Sequence, residues 1–438
     1  MSQTQRPIQL SPLWAATAPE PVDYPVFAGQ SEADCVVIGA GLSGLSTAIH
    51  LAENGLLVVV LEAADPGAGG SGRSGGQVIP GLRHDPAELI DTYGPEFGRR
   101  AYEFGAMAAD VAFDFIARHQ IACDARRNGW IQAADSAETL AKTQMRVALW
   151  QKTGAPVRML PRDEFQALTG SPAYLGGMID ERGGTVQPLG LVRGLAKRAA
   201  ELGVKIYSHS PASKLERDGH RWRIETPQGI ISTPKVLVAT NAQSGQLWPD
   251  LDEMILPVWS FQIATAPLSG ELRQKILPSE PAVSDLRRVL RYFRVDRDHR
   301  LVVGGKGTIR APRHGSDFSL QRQMLAQIYP MLGDIPIDYA WGGQVAITLD
   351  RLPRIVSLGT GALASLGCNG KGVAWCLALG KVLAEALVED KAANLPIPIR
   401  KIDPIPFHGL RQIYVAAGST WLRLRDGLEH SFDKGKSS

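Results

Sequence analysis

The chain has 438 residues, 44% of them hydrophobic and 21% charged, with a formal net charge of +3. That length passes the size at which a single core stops growing, so at least two domains are expected, and the composition excludes a disordered chain. The small net charge, with basic residues interspersed among acids, excludes the basic stripe of a nucleic-acid binder.

Residues 1–33 form a Pro-rich lead-in carrying SPLW, in which Trp14 is a candidate anchor on the folded body. An apolar signal core is absent there, and no window reaches the eighteen or so apolar residues of a membrane span. The four cysteines, Cys35, Cys123, Cys368 and Cys376, show neither a CxxC pair nor metal-ligand spacing, and read as reduced core thiols. These features predict a cytoplasmic protein without a metal.

Residues 34–63, DCVVIGAGLSGLSTAIHLAENGLLVVVLEA, predict a strand, a helix over Leu42–Asn54 capped by Gly55, and a second strand ending at Glu62. Gly39, Gly41 and Gly44 stand at GxGxxG spacing: a tight turn, a close backbone approach to a pyrophosphate, and helix–strand packing. The new helix start offers unpaired N–H groups to phosphate. Glu62 lies 18 residues beyond Gly44, where a carboxylate accepts from ribose hydroxyls. No Arg follows it to receive a 2′-phosphate, so the nucleotide is FAD or NAD, and the fingerprint does not separate them.

Next comes ADPGAGGSGRSGGQVIPGL, residues 64–82, too long for a simple turn and too Gly-rich for a helix. A helix is predicted over 86–120, with apolar positions Met107, Val111, Phe115 and Ile116 at helical spacing. A strand over 128–135, a helix over 136–153, a helix from Pro188 to Leu202 and a buried strand closing at Asn241 follow. From 252 to 340 the pattern turns to alternating strands with a helix near 317–329, the mark of an inserted antiparallel sheet. GALASLGCNGKGVAWCLALGKVLAEALVED then repeats the opening logic, with glycines at 367, 370 and 372 before a long helix. An NAD site needs one phosphate loop and an acid, whereas a flavin ring needs further backbone in close approach; three Gly-rich segments therefore favour FAD.

The segments VVIGAGLSGLSTAIHLAENG, SGRSGGQ, VLVATNA, WGGQVAITLDRLPRI and GCNGKGVAWCLALGKVLAE together resemble the D-amino acid oxidase superfamily of FAD-dependent oxidoreductases, with glycine and sarcosine oxidases. The lead-in and the tail LPIPIRKIDPIPFHGLR look most like the branch of gamma-glutamylputrescine oxidase and L-pipecolate oxidase. The resemblance spans nearly the whole chain. It implies an α/β (α+β overall) architecture: a Rossmann-like, glutathione-reductase-like FAD-binding domain from 34–90, 181–247 and 341–390, and an inserted mixed or antiparallel sheet substrate domain from 91–180 and 248–340. Residues 391–438 form a tail.

The activity implied is oxidation of a C–N bond in an amine or amino acid: hydride passes to FAD, the imine hydrolyses, and dioxygen or an electron carrier reoxidises the flavin. FAD contacts are expected at Gly39, Gly41, Leu42, Ser43, Gly44, Glu62 and Ala63 in the first segment, and at Ser71, Arg73, Ser74, Gly75, Gly76 and Gln77 in the second. The others are Ala212, Thr240, Asn241, Gly343, Gly367, Asn369, Gly370, Lys371, Gly372 and Val373. The place of the flavin-linking cysteine of monomeric sarcosine oxidases is Gly343, and residues 64–82 contain no His, so non-covalent FAD is implied. The carboxylate-gripping and oxygen-activating lysines of those enzymes correspond to Ala374 and Val302, with Lys306 and Lys371 nearby.

Candidate substrate groups are Arg291, Arg294, Gln344 and Lys306; candidate catalytic groups are Lys371, Tyr292 and Trp341. Arg291 and Arg294 cannot share one side of a regular strand, so at most one faces inward, to grip a carboxylate; a solvated strand face is the alternative. Tyr292 either covers substrate or sits in the core, and Trp341 either borders the ring or does the same. Lys371, between two glycines, is not expected in a core: it stabilises reduced flavin or points to water. Arg351 is expected to pair with Asp350. The segment 413–428, IYVAAGSTWLRLRDGL, reads as a packed terminal helix or a membrane-surface one. An NAD-dependent dehydrogenase and a non-enzymatic dinucleotide sensor remain the alternatives of another class.

Overall fold

The computed structural model describes residues 8–287, 289–308, 310–389 and 394–412. The β-branched runs form the centre of a seven-stranded sheet, ordered Ile399–Arg400, Arg354–Gly359, Ala362–Leu366, Lys235–Val238, Cys35–Ile38, Val58–Leu61, Lys205–Tyr207. The five strands from Ala362–Leu366 onward are parallel. Alternation within them splits the two faces. Cys35, Val37, Val58 and Val60 pack under the helices Leu42–Glu53, Pro188–Glu201 and Gly372–Glu389. Val36, Ile38, Val59 and Leu61 pack on the opposite face, under a four-stranded sheet that includes Arg221–Thr226 and Gly229–Thr233. The result is a Rossmann-like sheet covered by helices on one side and strands on the other.

The second body is an eight-stranded mixed sheet, ordered Ile337–Ile347, Leu256–Pro267, Arg300–Lys306, Arg291–Val295, Ala282–Asp285, Trp130–Ala134, Gly176–Asp180, Val157–Pro161. Its outer face buries Phe261, Ile263, Phe293 and Val303 against the helix Ser319–Ile328. Its inner face turns toward the nucleotide-side loops.

Three expectations differ from the structure. The lead-in contributes the strand Gly29–Glu32 to the four-stranded sheet. The helix Pro86–Arg118, kinked at Gly94 before Pro95, packs with the helices of the seven-stranded sheet, because its Ala-rich stripe (Ala101, Ala108, Ala109, Ala112) permits close approach there; Met107 is 59% exposed and lies off that stripe. The strand Ile337–Ile347 belongs to the eight-stranded sheet along its whole length, because it pairs with Leu256–Pro267 in nearly continuous register. Segment 413–428 lies outside the described residues. No helix among the described residues is long and apolar enough to cross a membrane.

Candidate active site

The parallel strands Cys35–Ile38, Val58–Leu61 and Lys235–Val238 deliver their C-terminal ends to one edge of the sheet, where α/β folds bind ligands. Gly39 has φ +107, and Gly41 is the N-cap of the first helix. A Cβ at Gly41 would lie 2.9 Å from Ser71 Oγ, which accepts from Leu42 N at 3.2 Å. Glu62 receives two backbone amides, Ala40 N at 2.7 Å and Ala64 N at 3.0 Å. Each carboxylate oxygen keeps acceptor capacity toward the cavity, as a ribose diol requires. Ser43 Oγ, in the first helical turn, is buried with no protein partner. Glu62→Gln places an amide NH₂ against one of two N–H donors; FAD titration of the apoprotein is expected to show roughly 10–100-fold weaker binding, the ~1–3 kcal/mol of an unsatisfied buried donor.

The second Gly segment, a 3₁₀ turn over Gly70–Arg73 and the strand Gln77–Val78, is gripped from behind. Arg73 O accepts from Gln262 Nε2 at 2.7 Å and Trp341 Nε1 at 3.1 Å, and Ser74 O from Trp14 Nε1 at 2.8 Å. Arg294 Nη1 donates to Gly76 O at 3.1 Å and Val186 O at 2.6 Å, and its Nε to Val295 O at 3.1 Å. The guanidinium also lies over the Trp14 ring. With these carbonyls turned into the protein, the Gly75 N–H has no acceptor among the described residues, so the loop can offer it to a flavin. A Cβ at Gly75 would meet Tyr292 Cε2 at 2.8 Å, so the turn needs glycine to lie this close to the sheet.

Here three candidates are corrected. Arg294 is 1% exposed, and neither it nor Trp341 lines the cavity. Both brace the second Gly segment from behind instead of facing the cavity. Arg291 is directed to the other strand face, donating to Gln327 Oε1 at 2.6 Å, because residues two apart share a side and Phe293 beside it belongs to the outer core. Tyr292 does line the cavity: its hydroxyl exchanges a hydrogen bond with Ser260 Oγ at 2.8 Å, and burial pushes its pKa up. Gln344 and Lys306 line it as well.

In the third segment, Asn241 Oδ1 accepts from Gly367 N at 2.9 Å, and Asn369 Oδ1 from Thr348 N at 3.0 Å. Both asparagines have positive φ, at 49 and 51. Lys371 departs from expectation. It is half-buried, and its Nζ donates to Leu82 O at 3.1 Å and Gly81 O at 3.3 Å while lying 5.3 Å from the centre of the Trp130 ring. Burial, reinforced by the charges of Arg146 and Arg83, lowers its pKa to about 7.

The three segments surround one cavity of about 1610 Å³, larger than the roughly 300–1,000 Å³ of ordinary ligand pockets. All the expected cofactor residues line it except Ser43, Gly44 and Gly367, which shape it from behind. This donor set fits FAD: an acid with open lone pairs, a free amide, and Gly turns that a Cβ would block.

Beyond the flavin segments, the cavity continues along Trp130, Gln132 and Arg287, which sequence spacing did not reveal, because they come together only through strand order. Arg287 pairs with Asp135 at 3.2 Å and Asp285 at 3.5 Å. Burial raises the pKa of Asp285 to about 7. Arg351 does not pair with Asp350, which binds Arg354 at 2.7 Å; with φ +59 it turns to the cavity instead, where Arg83 is its electrostatic neighbour. Val302 packs beside Trp14 and Trp341, and Ala374 is buried in the helix Gly372–Glu389, so neither lysine position of the sarcosine oxidases reaches the cavity. Cys35 and Cys123 are buried, as expected, but Cys368 and Cys376 are partly exposed on the cavity wall, because the Gly-rich turn before the helix leaves no bulk to cover them.

Comparisons with known proteins agree with this geometry. The family model described as "FAD dependent oxidoreductase" (DAO) matches residues 34–386. The chain is 32% identical over 96% of its length to the probable oxidoreductase OrdL of Rhizobium meliloti (strain 1021), covering 99% of that protein. It is 31% identical to the gamma-glutamylputrescine oxidoreductase of Escherichia coli (strain K12), covering 95% of this chain and 98% of the relative. Among solved structures, L-proline dehydrogenase from P. horikoshii superposes with a TM-score of 0.70 at 20% identity, over 84% of this chain and 96% of that one, which speaks for the fold. The chain belongs to the DAO family of FAD-dependent oxidoreductases.

Proposed function

We propose that this FAD-dependent amine or amino acid oxidoreductase oxidises a C–N bond in an amine that also carries a carboxylate, and that dioxygen reoxidises its flavin. The observation that carries the carboxylate is the cavity's charge. Among the described lining residues eight are Lys or Arg (Arg73, Arg83, Lys142, Arg146, Arg287, Lys306, Arg351, Lys371) and four are acids (Glu62, Asp85, Glu88, Asp285). The acids are committed: Glu62 to amides, Asp85 and Glu88 to a helix cap, Asp285 to Arg287. With Lys371 left out, its pKa being near 7, seven cations still face four acids, and such a net positive enclosure favours an anionic group on the substrate and disfavours a free polyamine. The name of the Escherichia coli relative, a gamma-glutamyl amine, agrees with that.

Bound FAD supplies a two-electron acceptor for hydride from the amine-bearing carbon, and the resulting imine then hydrolyses in water. Glu62, Ser71 and the first helical turn would hold the ribose and pyrophosphate. The Arg73–Gly76 loop, braced by Arg294, Trp14 and Trp341, would hold the ring. Trp130 and Tyr292 wall the substrate end and exclude water. Gly343 stands at the linking-cysteine position, which supports non-covalent binding.

The test is anaerobic. The purified protein should be yellow and release its flavin on acid precipitation. Gamma-glutamylputrescine, L-proline, pipecolate, sarcosine and D-amino acids are titrated against putrescine itself. Bleaching by a carboxylate-bearing amine at least tenfold more effectively than by putrescine is expected, with colour restored by air. Bleaching by none would remove the amine reading; equal bleaching by putrescine would remove the carboxylate; colour restored only by a quinone or dye would make the protein a dehydrogenase.

A further inference from the structure

An ammonium nitrogen has no lone pair with which to expel a hydride from the adjacent carbon, so oxidation needs a place for one proton to go. Among the titratable groups that line the cavity, Asp285 is held by Arg287 and by the Arg291 backbone N–H, whereas Lys371 is arranged for that. Lys371 lines the cavity, and its Nζ has two substituent positions used by the carbonyls of Leu82 and Gly81, with the ring of Trp130, itself a lining residue, 5.3 Å away. Two N–H donors satisfy the two carbonyls whether the group is NH₂ or NH₃⁺. In the neutral form one lone pair is left over, and no carboxylate contacts Nζ among the described residues.

We infer that Lys371 accepts the proton of the bound substrate ammonium, an inference that rests on the amine-oxidation reading above. The substrate N–H bond breaks, an Nζ–H bond forms, and charge is conserved as the ammonium becomes a neutral amine and Lys371 becomes cationic. The freed nitrogen lone pair then forms the C=N bond while the C–H electron pair leaves as hydride for the flavin, so the substrate loses two electrons and the flavin gains them.

The groups facing Lys371 set when this can happen. Arg146, on the helix Ala137–Gln151, and Arg83, on the loop before helix Pro86–Arg118, disfavour its cationic form, as burial does. Asp85 and Asp180 oppose them, but both are engaged, Asp85 with Arg146 at 3.2 Å and Asp180 with Arg182 at 2.6 Å. Lys371 therefore titrates near pH 7 instead of near 10. The sign follows: the base is available above about pH 7 and is lost as pH falls through that value. His84 also lines the cavity, but burial lowers its pKa below the ordinary histidine value.

The test is the limiting rate of anaerobic flavin reduction against pH, with gamma-glutamylputrescine, or the most effective amine of the panel if that one is inert. Wild type is expected to show a limb with a midpoint near pH 7. In Lys371→Arg, which keeps cationic donors for both carbonyls but cannot accept a proton, the rate at pH 7 should fall on the order of 100-fold and recover toward pH 9–10, where the amine deprotonates unaided. A Lys371→Arg enzyme with an unchanged limb, or a limb that moves with His84→Gln instead, overturns the assignment. If the variant loses FAD, ¹⁵N titration of lysine-labelled wild-type holoenzyme decides. One lysine with a midpoint near 7 supports the proposal, and none below about 9 overturns it. Failure of every amine to bleach the flavin sinks the reading beneath; bleaching with an unaltered limb sinks only Lys371.

Discussion

Arg294→Met is expected to weaken FAD binding by about 100-fold or more and to lower stability by roughly 2–4 kcal/mol, although the residue touches no part of the cavity. The guanidinium donates to three backbone carbonyls, those of Gly76, Val186 and Val295. Methionine fills much of the same volume but donates nothing. Gly76 O retains the Val186 amide, so the Val186 and Val295 carbonyls bear most of the loss, at about 1–3 kcal/mol for each buried group left unpaired. Against this stands relief of a buried charge: Arg294 is held without a contacting carboxylate among the described residues, and burial lowers its pKa to about 10. The carbonyl loss wins, because the guanidinium's hydrogen bonds offset its desolvation only while all of them are made. Arg294→Lys should recover part of the stability and little of the FAD affinity, since one ammonium cannot span both Gly76 O and Val295 O as a planar fork does. Thermal melts of apoprotein and holoprotein with FAD titration separate the effects. Unchanged FAD affinity in Arg294→Met would remove the bracing role.

Gly44→Ala is expected to yield protein that retains no flavin, with a stability loss of about 3 kcal/mol or more. The added Cβ would overlap the Gly39 carbonyl oxygen and lie 3.1 Å from Val37 Cγ1. Both are rigid, one the turn and the other the strand, so the helix Leu42–Glu53 must move away from the sheet. That movement displaces the amides expected to meet the pyrophosphate. Gly55→Ala is the control: φ is +80 but nothing lies within 4 Å of the new Cβ, so it should cost about 1 kcal/mol and keep its flavin. Flavin-to-protein absorbance ratios after purification check both, and a yellow Gly44→Ala protein of normal affinity would contradict the packing argument.

Local chemistry made part of this protein legible from its residues alone. β-Branched runs and period-3.6 patterns within single segments define the βαβ start and the helix Pro188–Glu201 to within a residue or two, and they place a long helix after the last glycines. Gly39, Gly41 and Glu62 announce a dinucleotide because their geometry is set within thirty residues of chain. The three Gly-rich segments were also readable, since clustered glycines stand out within each segment, although what crowds them, such as Tyr292 against Gly75, lies elsewhere in the chain.

What tertiary structure decided is which way side chains face and whom they meet. Arg291 and Arg294 are three residues apart, yet one bonds a surface helix and the other a loop 218 residues away. Trp341 reaches Arg73 across 268 residues, and Lys371 reaches Gly81 across 290. Such contacts depend on strand order and on the faces the two sheets present to each other, which no spacing within one segment encodes. The sequence by itself determined that a dinucleotide is held and favoured a flavin; the packing decided that Arg294, expected to grip substrate, braces the second Gly segment while Arg291 turns to the outer face, and that a lysine expected near flavin or water lies half-buried against Trp130 with its proton affinity lowered.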